Sequence, residues 1–193
     1  MAQYNIDEMK QKLAKYLDQE RYDHTMGVMY TAAAMAMRYD ADLEMALVAG
    51  LLHDCAKCIP AAKKIELCES NNIYISDAER QNPGLLHSKL GAFIAKTKYD
   101  IDDEAILDSI TYHTTGRPAM TLLDKIVYIA DFIEPNRNEA PNLARMRKLA
   151  FEDIDKCLYE MLEDSLAYLK TRSFVIDPMT EQTYIYYRNE WKG

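Results

Sequence analysis

Apolar residues recur at intervals of three and four along almost the whole chain, which is the spacing of one face of an α-helix. Only six glycines and six prolines interrupt this pattern. The pattern predicts an all-α protein. Its helices are expected over residues 6–19, 22–39, 43–55, 61–70, 88–98, 102–113, 121–134 and 143–171, the last with a break near 151–153. Asp42 stands in the capping position of the third helix.

Two segments are less regular. Residues 71–86 contain Asn82-Pro83-Gly84 and are expected to form a loose stretch, which puts His87 at the mouth of the next helix. In the tail, residues 173–193, Tyr184 and its neighbours favour a strand, whereas Pro178 at a first helical position favours a short helix. We predict a helix there. The length of 193 residues predicts a single domain, 1–193, with a catalytic core at about 18–140 and a C-terminal helical segment and tail at 141–193.

Composition excludes several classes of partner. A formal net charge of -8 and a pI near 5.0 argue against a nucleic-acid or anionic-membrane surface, because both require a basic surface. The charged, amphipathic start does not resemble a signal peptide, and no apolar stretch is long enough to span a bilayer, so we expect a soluble cytoplasmic protein. The four cysteines are too few and too unevenly spaced for a secreted disulfide framework, and we expect reduced thiols.

The candidate chemistry centres on His53 and Asp54, which close the apolar run 46–52. Burying an imidazole and a carboxylate is costly unless both find partners, and a divalent metal would satisfy both. His24 and Asp131 also lie in apolar helical runs. Taken singly, His24 is more often a satisfied core histidine, and Asp131 is as readily a structural aspartate. Taken together, they predict a mixed nitrogen and oxygen site that suits Fe, Mn, Zn or Ni.

These positions and their surroundings resemble a known family. His24, His53-Asp54 and Asp131 follow the H…HD…D pattern of the HD-domain metal-dependent phosphohydrolases. The surrounding blocks are similar to those of the YqeK family of bacterial symmetrical bis(5'-nucleosyl)-tetraphosphatases. The similar blocks are RYDHTMGV at 21–28, LLHDCAK at 51–57, YHTTGR at 112–117 and IADFIEPNR at 129–137. The resemblance spans about residues 5 to 175 in the expected order.

The resemblance implies an HD-domain helical bundle with a metal site between core helices. It implies hydrolysis of diadenosine tetraphosphate into two ADP by metal-activated water. The implied ligands of iron, or of a similar metal such as Mn, Zn or Ni, are His24, His53, Asp54 and Asp131. His87 and His113 would hold a second ion or contact substrate phosphate, so one ion and two ions both stay open. GDP as a product of a guanosine substrate and a homodimer also stay open.

A polyphosphate substrate brings negative charge to an acidic protein, so the site needs its own cations. We predict that Arg21, Lys57 and Arg137 bind phosphate, with surface salt bridges and a solvated lysine as the competing interpretations. Arg21 stands three residues before His24, Lys57 stands one turn after His53 if that helix continues, and Arg137 follows Pro135.

The family blocks add residues to the predicted substrate-binding and catalytic sets. After His113, the turn formed by Thr114, Thr115 and Gly116 is expected either to approach phosphate through its backbone N–H groups or to cap the helix. The substrate-binding set also includes Gly27, His24, His87, His113, Thr114 and Asp131. The catalytic set is His53, Asp54, Lys57 and Asp131.

Two other functions share these features. A different HD phosphohydrolase, acting on a nucleoside monophosphate or guanosine tetraphosphate, would have the same metal ligands and a different pocket. A nucleotide-sensing module would bind the ligand without turnover. The complete set of metal-type residues argues against the sensing module, and product analysis distinguishes the two hydrolases.

Overall fold

The computed structural model describes residues 4–138, 142–172 and 175–192. Over these residues the protein consists of helices and turns, without a strand, which confirms the all-α prediction. The α-helices are α1 (Ile6–Leu13), α2 (Gln19–Arg38), α3 (Leu43–Leu52), α4 (Ala61–Ser70), α5 (Asp77–Gln81), α6 (His87–Tyr99), α7 (Glu104–Tyr112), α8 (Leu122–Ile133), α9 (Leu143–Glu152), α10 (Ile154–Lys170) and α11 (Pro178–Lys192). A short 3-10 helix, Pro83–Leu86, leads into α6.

The first two helices differ from the prediction in where one ends and the next begins. The helix α1 ends at Leu13, so the prediction that it continues to residue 19 is wrong. Asp18 instead caps α2, because its carboxylate accepts a hydrogen bond from the Arg21 N–H at 2.8 Å. This cap starts α2 at Gln19, three residues before the predicted start at 22.

The helix α3 ends at Leu52, and the prediction that it continues to residue 55 is wrong. Its start is as predicted, since the Asp42 carboxylate accepts from the Met45 N–H at 2.9 Å. After Leu52 the chain tightens into turns, in which the Lys57 N–H donates to the Asp54 carbonyl at 2.9 Å. The turns place the side chains of residues 53 and 54 at the inner end of the helix.

The stretch 71–86 is more ordered than predicted. A capping box starts α5, in which the Ser76 hydroxyl accepts from the Glu79 N–H and the Glu79 carboxylate accepts from the Ser76 N–H. The predicted break in the C-terminal segment is confirmed at Asp153, which separates α9 from α10. The tail is helical from Pro178, as predicted, and residues 173, 174 and 193 of the predicted tail lie outside the described residues. The prediction of one domain over residues 1–193 stays a prediction.

The core is built by α2, α3, α7 and α8, with α10 and α11 packed beside them. Gly50 allows α2 and α3 to approach closely, because a Cβ at this position would lie 2.9 Å from the Met29 Cα. A smaller apolar cluster around Cys68 and Leu86 joins α4 to α6. None of the described helices is both long and apolar enough to cross a membrane. The close packing of α2 on α3 brings the histidines of these two helices together.

Candidate metal centre

Six side chains of metal-ligand type, from five helices, meet at one point of the core. His24 lies in the second turn of α2, and Asp131 lies in the last turn of α8. The other four stand at helix ends, and these are His53 and Asp54 after α3, His87 at the start of α6 and His113 after α7. All four histidines and Asp54 are buried, and the Asp131 side chain is 23% exposed. The structure therefore brings together every metal-type residue predicted from the sequence.

The four imidazoles are oriented alike. His53, His87 and His113 each place Nδ1 at 2.6–2.7 Å from the backbone carbonyl of the residue three positions earlier. A carbonyl only accepts, so Nδ1 carries the proton and Nε2 of a neutral ring keeps its lone pair. His24 reaches the same state through the carboxylate of Glu134, 3.0 Å from its Nδ1. All four Nε2 atoms thus face the site as potential ligands.

Asp54 lies between two groups of these atoms. Its Oδ2 lies 3.6 Å from His53 Nε2 and 3.9 Å from His24 Nε2. Its Oδ1 lies 3.1 Å from His87 Nε2 and 3.5 Å from His113 Nε2. One carboxylate therefore faces two pairs of imidazoles, one with each oxygen.

The donor atoms fit a metal better than they fit one another. His24 Nε2, His53 Nε2 and Asp54 Oδ1 are buried, and none meets a partner with hydrogen-bond geometry among the described residues. Leaving buried polar atoms unpaired costs about 1–3 kcal/mol each. Two sets have ligand atoms within 4.8 Å of one another, namely His24, His53 and Asp131, and His53, Asp54 and His113. Imidazole nitrogen with carboxylate oxygen is a donor set for a divalent transition metal.

The protonation states of the site also suit a metal. Burial lowers the pKa of His53 to about 4, so its ring is neutral at neutral pH. Burial also lowers the pKa of His87. Burial raises the pKa of Asp54, but its surroundings, which include the Lys57 ammonium, outweigh burial and hold this pKa well below the usual range. Burial also raises the pKa of Asp131, but its surroundings, which include the Arg137 guanidinium, hold it well below its usual range. Neutral imidazoles and ionised carboxylates are the forms that bind metal.

Three cationic side chains, Arg21, Lys57 and Arg137, border the donor atoms, and their contact with phosphate stays a prediction. An Arg21 nitrogen lies 2.8 Å from Asp54 Oδ2. Lys57 Nζ lies 3.1 Å from His87 Nε2 and 3.6 Å from Asp54 Oδ1, although the helix that was expected to carry it ends earlier. An Arg137 nitrogen lies 2.9 Å from Asp131 Oδ1. These three side chains place positive charge beside the donor atoms, although the chain as a whole has a net charge of -8.

Comparison with known proteins identifies the family. The sequence model of the HD domain matches residues 21–136. A Bacillus subtilis protein named bis(5'-nucleosyl)-tetraphosphatase, symmetrical, is 38% identical over 93% of this chain and 96% of its own length. The protein of the same name from Staphylococcus aureus is 32% identical over 95% of this chain and 94% of its own length. This chain belongs to the HD-domain family, and within it to the YqeK family of symmetrical bis(5'-nucleosyl)-tetraphosphatases.

A solved structure agrees with the HD-domain assignment. A Clostridium acetobutylicum protein, described as a predicted HD superfamily hydrolase involved in NAD metabolism, superimposes with a TM-score of 0.92. The two chains are 38% identical, and the match covers 97% of this chain and 98% of the other. The HD-domain fold of this chain is therefore shared with a solved structure over nearly its full length.

The turn after His113 has two parts with different contacts in this HD domain. The Thr114 hydroxyl oxygen lies 3.3 Å from His87 Nε2 and 3.2 Å from His113 Nε2, so it faces the site. The Gly116 N–H instead donates to the Tyr112 carbonyl at 2.8 Å and closes the helix end. This N–H is not free for phosphate, so the helix-cap interpretation holds at residue 116.

The helix α11, which lies outside the residues matched by the HD-domain model, packs against the same turn. Gly116 has a φ of 64°, and a Cβ there would lie 2.7 Å from Thr183 Cγ2. The Tyr187 hydroxyl accepts a hydrogen bond from the Met120 N–H at 2.8 Å. The C-terminal helix therefore supports the segment that carries Thr114.

Glu134 is the buried carboxylate next to His24 that the sequence prediction missed. It is 1% exposed and lies in the IEPN block, where its place before Pro135 indicated only the end of a helix. Gly27, predicted to bind substrate, lies directly against it: a Cβ at residue 27 would overlap Glu134 Oε2 and come within 3.0 Å of Cδ. The substrate contact of Gly27 stays a prediction.

Proposed function

We propose that this protein hydrolyses diadenosine tetraphosphate symmetrically, so that one molecule of substrate and one of water give two ADP. The observation that carries the proposal is Asp54, which faces one pair of imidazoles with each carboxylate oxygen and has Arg21 and Lys57 beside it. Such a site places metal-binding and phosphate-binding groups next to each other, as phosphoryl transfer requires. The relatives named symmetrical bis(5'-nucleosyl)-tetraphosphatase support the same reaction.

The proposed ligands of the first ion are His24, His53, Asp54 and Asp131. His53 Nε2 belongs to both candidate sets of ligand atoms, and one nitrogen lone pair binds one ion. We assign this nitrogen to the set with His24 and Asp131, because Asp54 Oδ2 faces the same side. Iron is the proposed metal, and Mn, Zn and Ni suit the same donors.

The second pair of histidines, His87 and His113, has different neighbours from the first pair, His24 and His53. Their Nε2 atoms lie 3.1 Å apart with Asp54 Oδ1, Lys57 Nζ and the Thr114 hydroxyl around them. Two lone pairs at this separation repel unless a proton or a cation lies between them. The pair would hold either a second ion, together with Asp54, or a phosphoryl group, together with Lys57, and metal content per chain distinguishes these roles.

When bound, a divalent metal supplies Lewis-acid activation of water and of the phosphoryl oxygens. The chain's own residues orient the substrate: Arg21, Lys57 and Arg137 bind phosphoryl oxygens through charge-assisted hydrogen bonds. Water attacks one of the two inner phosphorus atoms, and the bond between that phosphorus and the central bridging oxygen breaks. The other half departs with the bridging oxygen, so each half becomes ADP. The described contacts of Asp131 with His24, His53 and Arg137 use Oδ1, which leaves Oδ2 to accept the proton of the water.

Three further parts of the proposal concern a second product, the cellular compartment and the oligomeric state. GDP is the expected product from the guanosine dinucleotide. We place the protein in the cytoplasm, since all four cysteines are free thiols. We also propose a homodimer, which light scattering on purified protein tests by mass.

The test is anaerobic purification with metal quantification, followed by hydrolysis of diadenosine tetraphosphate and chromatography of the products. We expect bound iron, two equivalents of ADP per substrate and loss of activity with a chelator. ATP with AMP as the products, or turnover that resists the chelator, would contradict the proposal. Nucleoside monophosphates and guanosine tetraphosphate serve as competing substrates, and preferential release of phosphate or pyrophosphate from them would point to the other HD hydrolases.

A further inference from the structure

Glu134 is a buried carboxylate that the reaction described above does not use. It follows α8 immediately, and 1% of its surface is exposed. Its Oε1 accepts from His24 Nδ1 at 3.0 Å, and its Oε2 accepts from the Asn136 N–H at 2.7 Å. Both oxygens are therefore engaged outside the group of Nε2 atoms, so Glu134 lies behind His24 rather than among the metal-binding atoms.

His24 needs this carboxylate because of its place in the fold. The other three histidines stand at helix ends, where a carbonyl three residues earlier can accept from Nδ1. His24 lies within α2, where the nearby backbone carbonyls accept from the N–H groups of the helix itself. A side chain from another helix end has to supply the acceptor, and Glu134, 110 residues further along the chain, supplies it.

Several contacts hold Glu134 in place. The absence of a side chain at Gly27 leaves room for its carboxylate, since a Cβ there would overlap Oε2. The Asn136 amide donates to the Asp23 carbonyl at 3.1 Å and ties the loop to α2. The Arg147 guanidinium of α9 donates to the Ile133, Glu134 and Arg137 carbonyls at 2.7–2.9 Å. A loop fixed in this way keeps the carboxylate at a constant distance from the His24 ring.

We propose that Glu134 is a positioning residue that orients the His24 ring and directs its Nε2 lone pair towards the metal, and that Gly27 provides the space for it. The inference rests on the proposed function, in which His24 is a ligand. A carboxylate behind a metal-binding histidine fixes both the ring orientation and the nitrogen that carries the proton, and its loss typically lowers metal affinity 10–100-fold.

The first test is the affinity of metal-free protein for Mn²⁺, measured by calorimetry for the wild type, Glu134→Gln and Glu134→Ala. His24 Nδ1–H and the Asn136 N–H donate to different oxygens of Glu134, and in glutamine one of these two positions becomes an NH2 group, which cannot accept. We expect the Kd for Mn²⁺ to rise about 10-fold or more in Glu134→Gln and further in Glu134→Ala. A wild-type Kd in both variants would overturn the proposal.

The matched control is Glu79→Gln. Glu79 is 3% exposed and, like Glu134, accepts from a backbone N–H, that of Ser76, and from a second donor, Lys89. It lies in the capping box of α5 and has no contact with the metal-type residues. We expect Glu79→Gln to lower the melting temperature and to leave the Kd for Mn²⁺ unchanged. An equal rise of the Kd in this control would show that the effect of Glu134→Gln is general destabilisation, and would overturn the proposal.

A second variant disturbs Glu134 without removing any polar group. Gly27→Ala introduces a methyl group that collides with Glu134 Oε2, whereas alanine is the better helix former within α2. We expect circular dichroism to show intact helices and the Kd for Mn²⁺ to rise. An unchanged Kd in a folded Gly27→Ala protein would overturn the role of Gly27. Cleavage of diadenosine tetraphosphate is not a readout here, so failure of the proposed substrate would leave these results interpretable.

Discussion

Replacing Asp54 by asparagine tests the centre of the site with almost no change in shape. The Asp54 carboxylate is the group that faces both pairs of imidazoles, and it is 1% exposed. Asparagine keeps the volume and one acceptor oxygen for Arg21, but it lacks the charge and the second oxygen that a bridging or chelating ligand needs. We expect Asp54→Asn to abolish most of the stabilisation that metal gives to the folded protein.

The magnitude follows from the linkage between metal binding and folding. A metal at 100 times its Kd stabilises the folded state by about 2.7 kcal/mol. For a chain of 193 residues, each kcal/mol moves the melting temperature by about 2–4 °C, so wild-type protein should gain about 5–11 °C. If the Kd rises 100-fold, the same metal concentration equals about one Kd. The metal then stabilises the folded state by only about 0.4 kcal/mol, which moves the melting temperature by less than 2 °C.

The assay is differential scanning calorimetry of each protein with Mn²⁺ and with a chelator. The control is Asp108→Asn, because Asp108 also accepts from an arginine at 2.8 Å but pairs with Arg117, outside the site. We expect Asp108→Asn to keep the full metal-dependent shift, whatever its effect on the metal-free protein. A full shift in Asp54→Asn, or no shift in the wild type, would show that Asp54 is not a metal ligand or that no metal stabilises the fold.

Three further changes test other parts of the site. His113→Ala should lower kcat/KM about 10-fold or more while the metal-dependent melting shift persists, and metal analysis should show whether one ion is lost. Lys57→Ala should lower kcat/KM about 10–150-fold, the equivalent of a charged hydrogen bond of 1.5–3 kcal/mol, and an equal loss in the exposed control Lys63→Ala would contradict a phosphate contact. Tyr187→Phe leaves the Met120 N–H without its acceptor and should lower stability by about 1–3 kcal/mol in thermal melts, whereas an unchanged melting temperature would show that α11 does not secure this segment.

Much of the local structure was predictable because its causes lie within a few residues. Asp42 begins α3 as predicted, and Asp153 separates α9 from α10 where the break was expected. The prediction failed where short-range signals compete. The first helix was predicted to run past Asp18, which in fact caps α2. The Ser76–Glu79 capping box lies in a stretch that was predicted to be loose because it contains Asn-Pro-Gly.

The helical class, the family and the six metal-type residues could all be read from the amino-acid sequence, because apolar spacing and the HD pattern depend only on the order of residues. How these residues face one another became visible only in the folded chain. The division of Asp54 between two pairs of imidazoles and the support of His24 by Glu134 depend on how α2, α3, α6, α7 and α8 pack on one another. Such crossings are set by side-chain packing between segments far apart in the chain, as at Gly50 against Met29, and no local pattern encodes them.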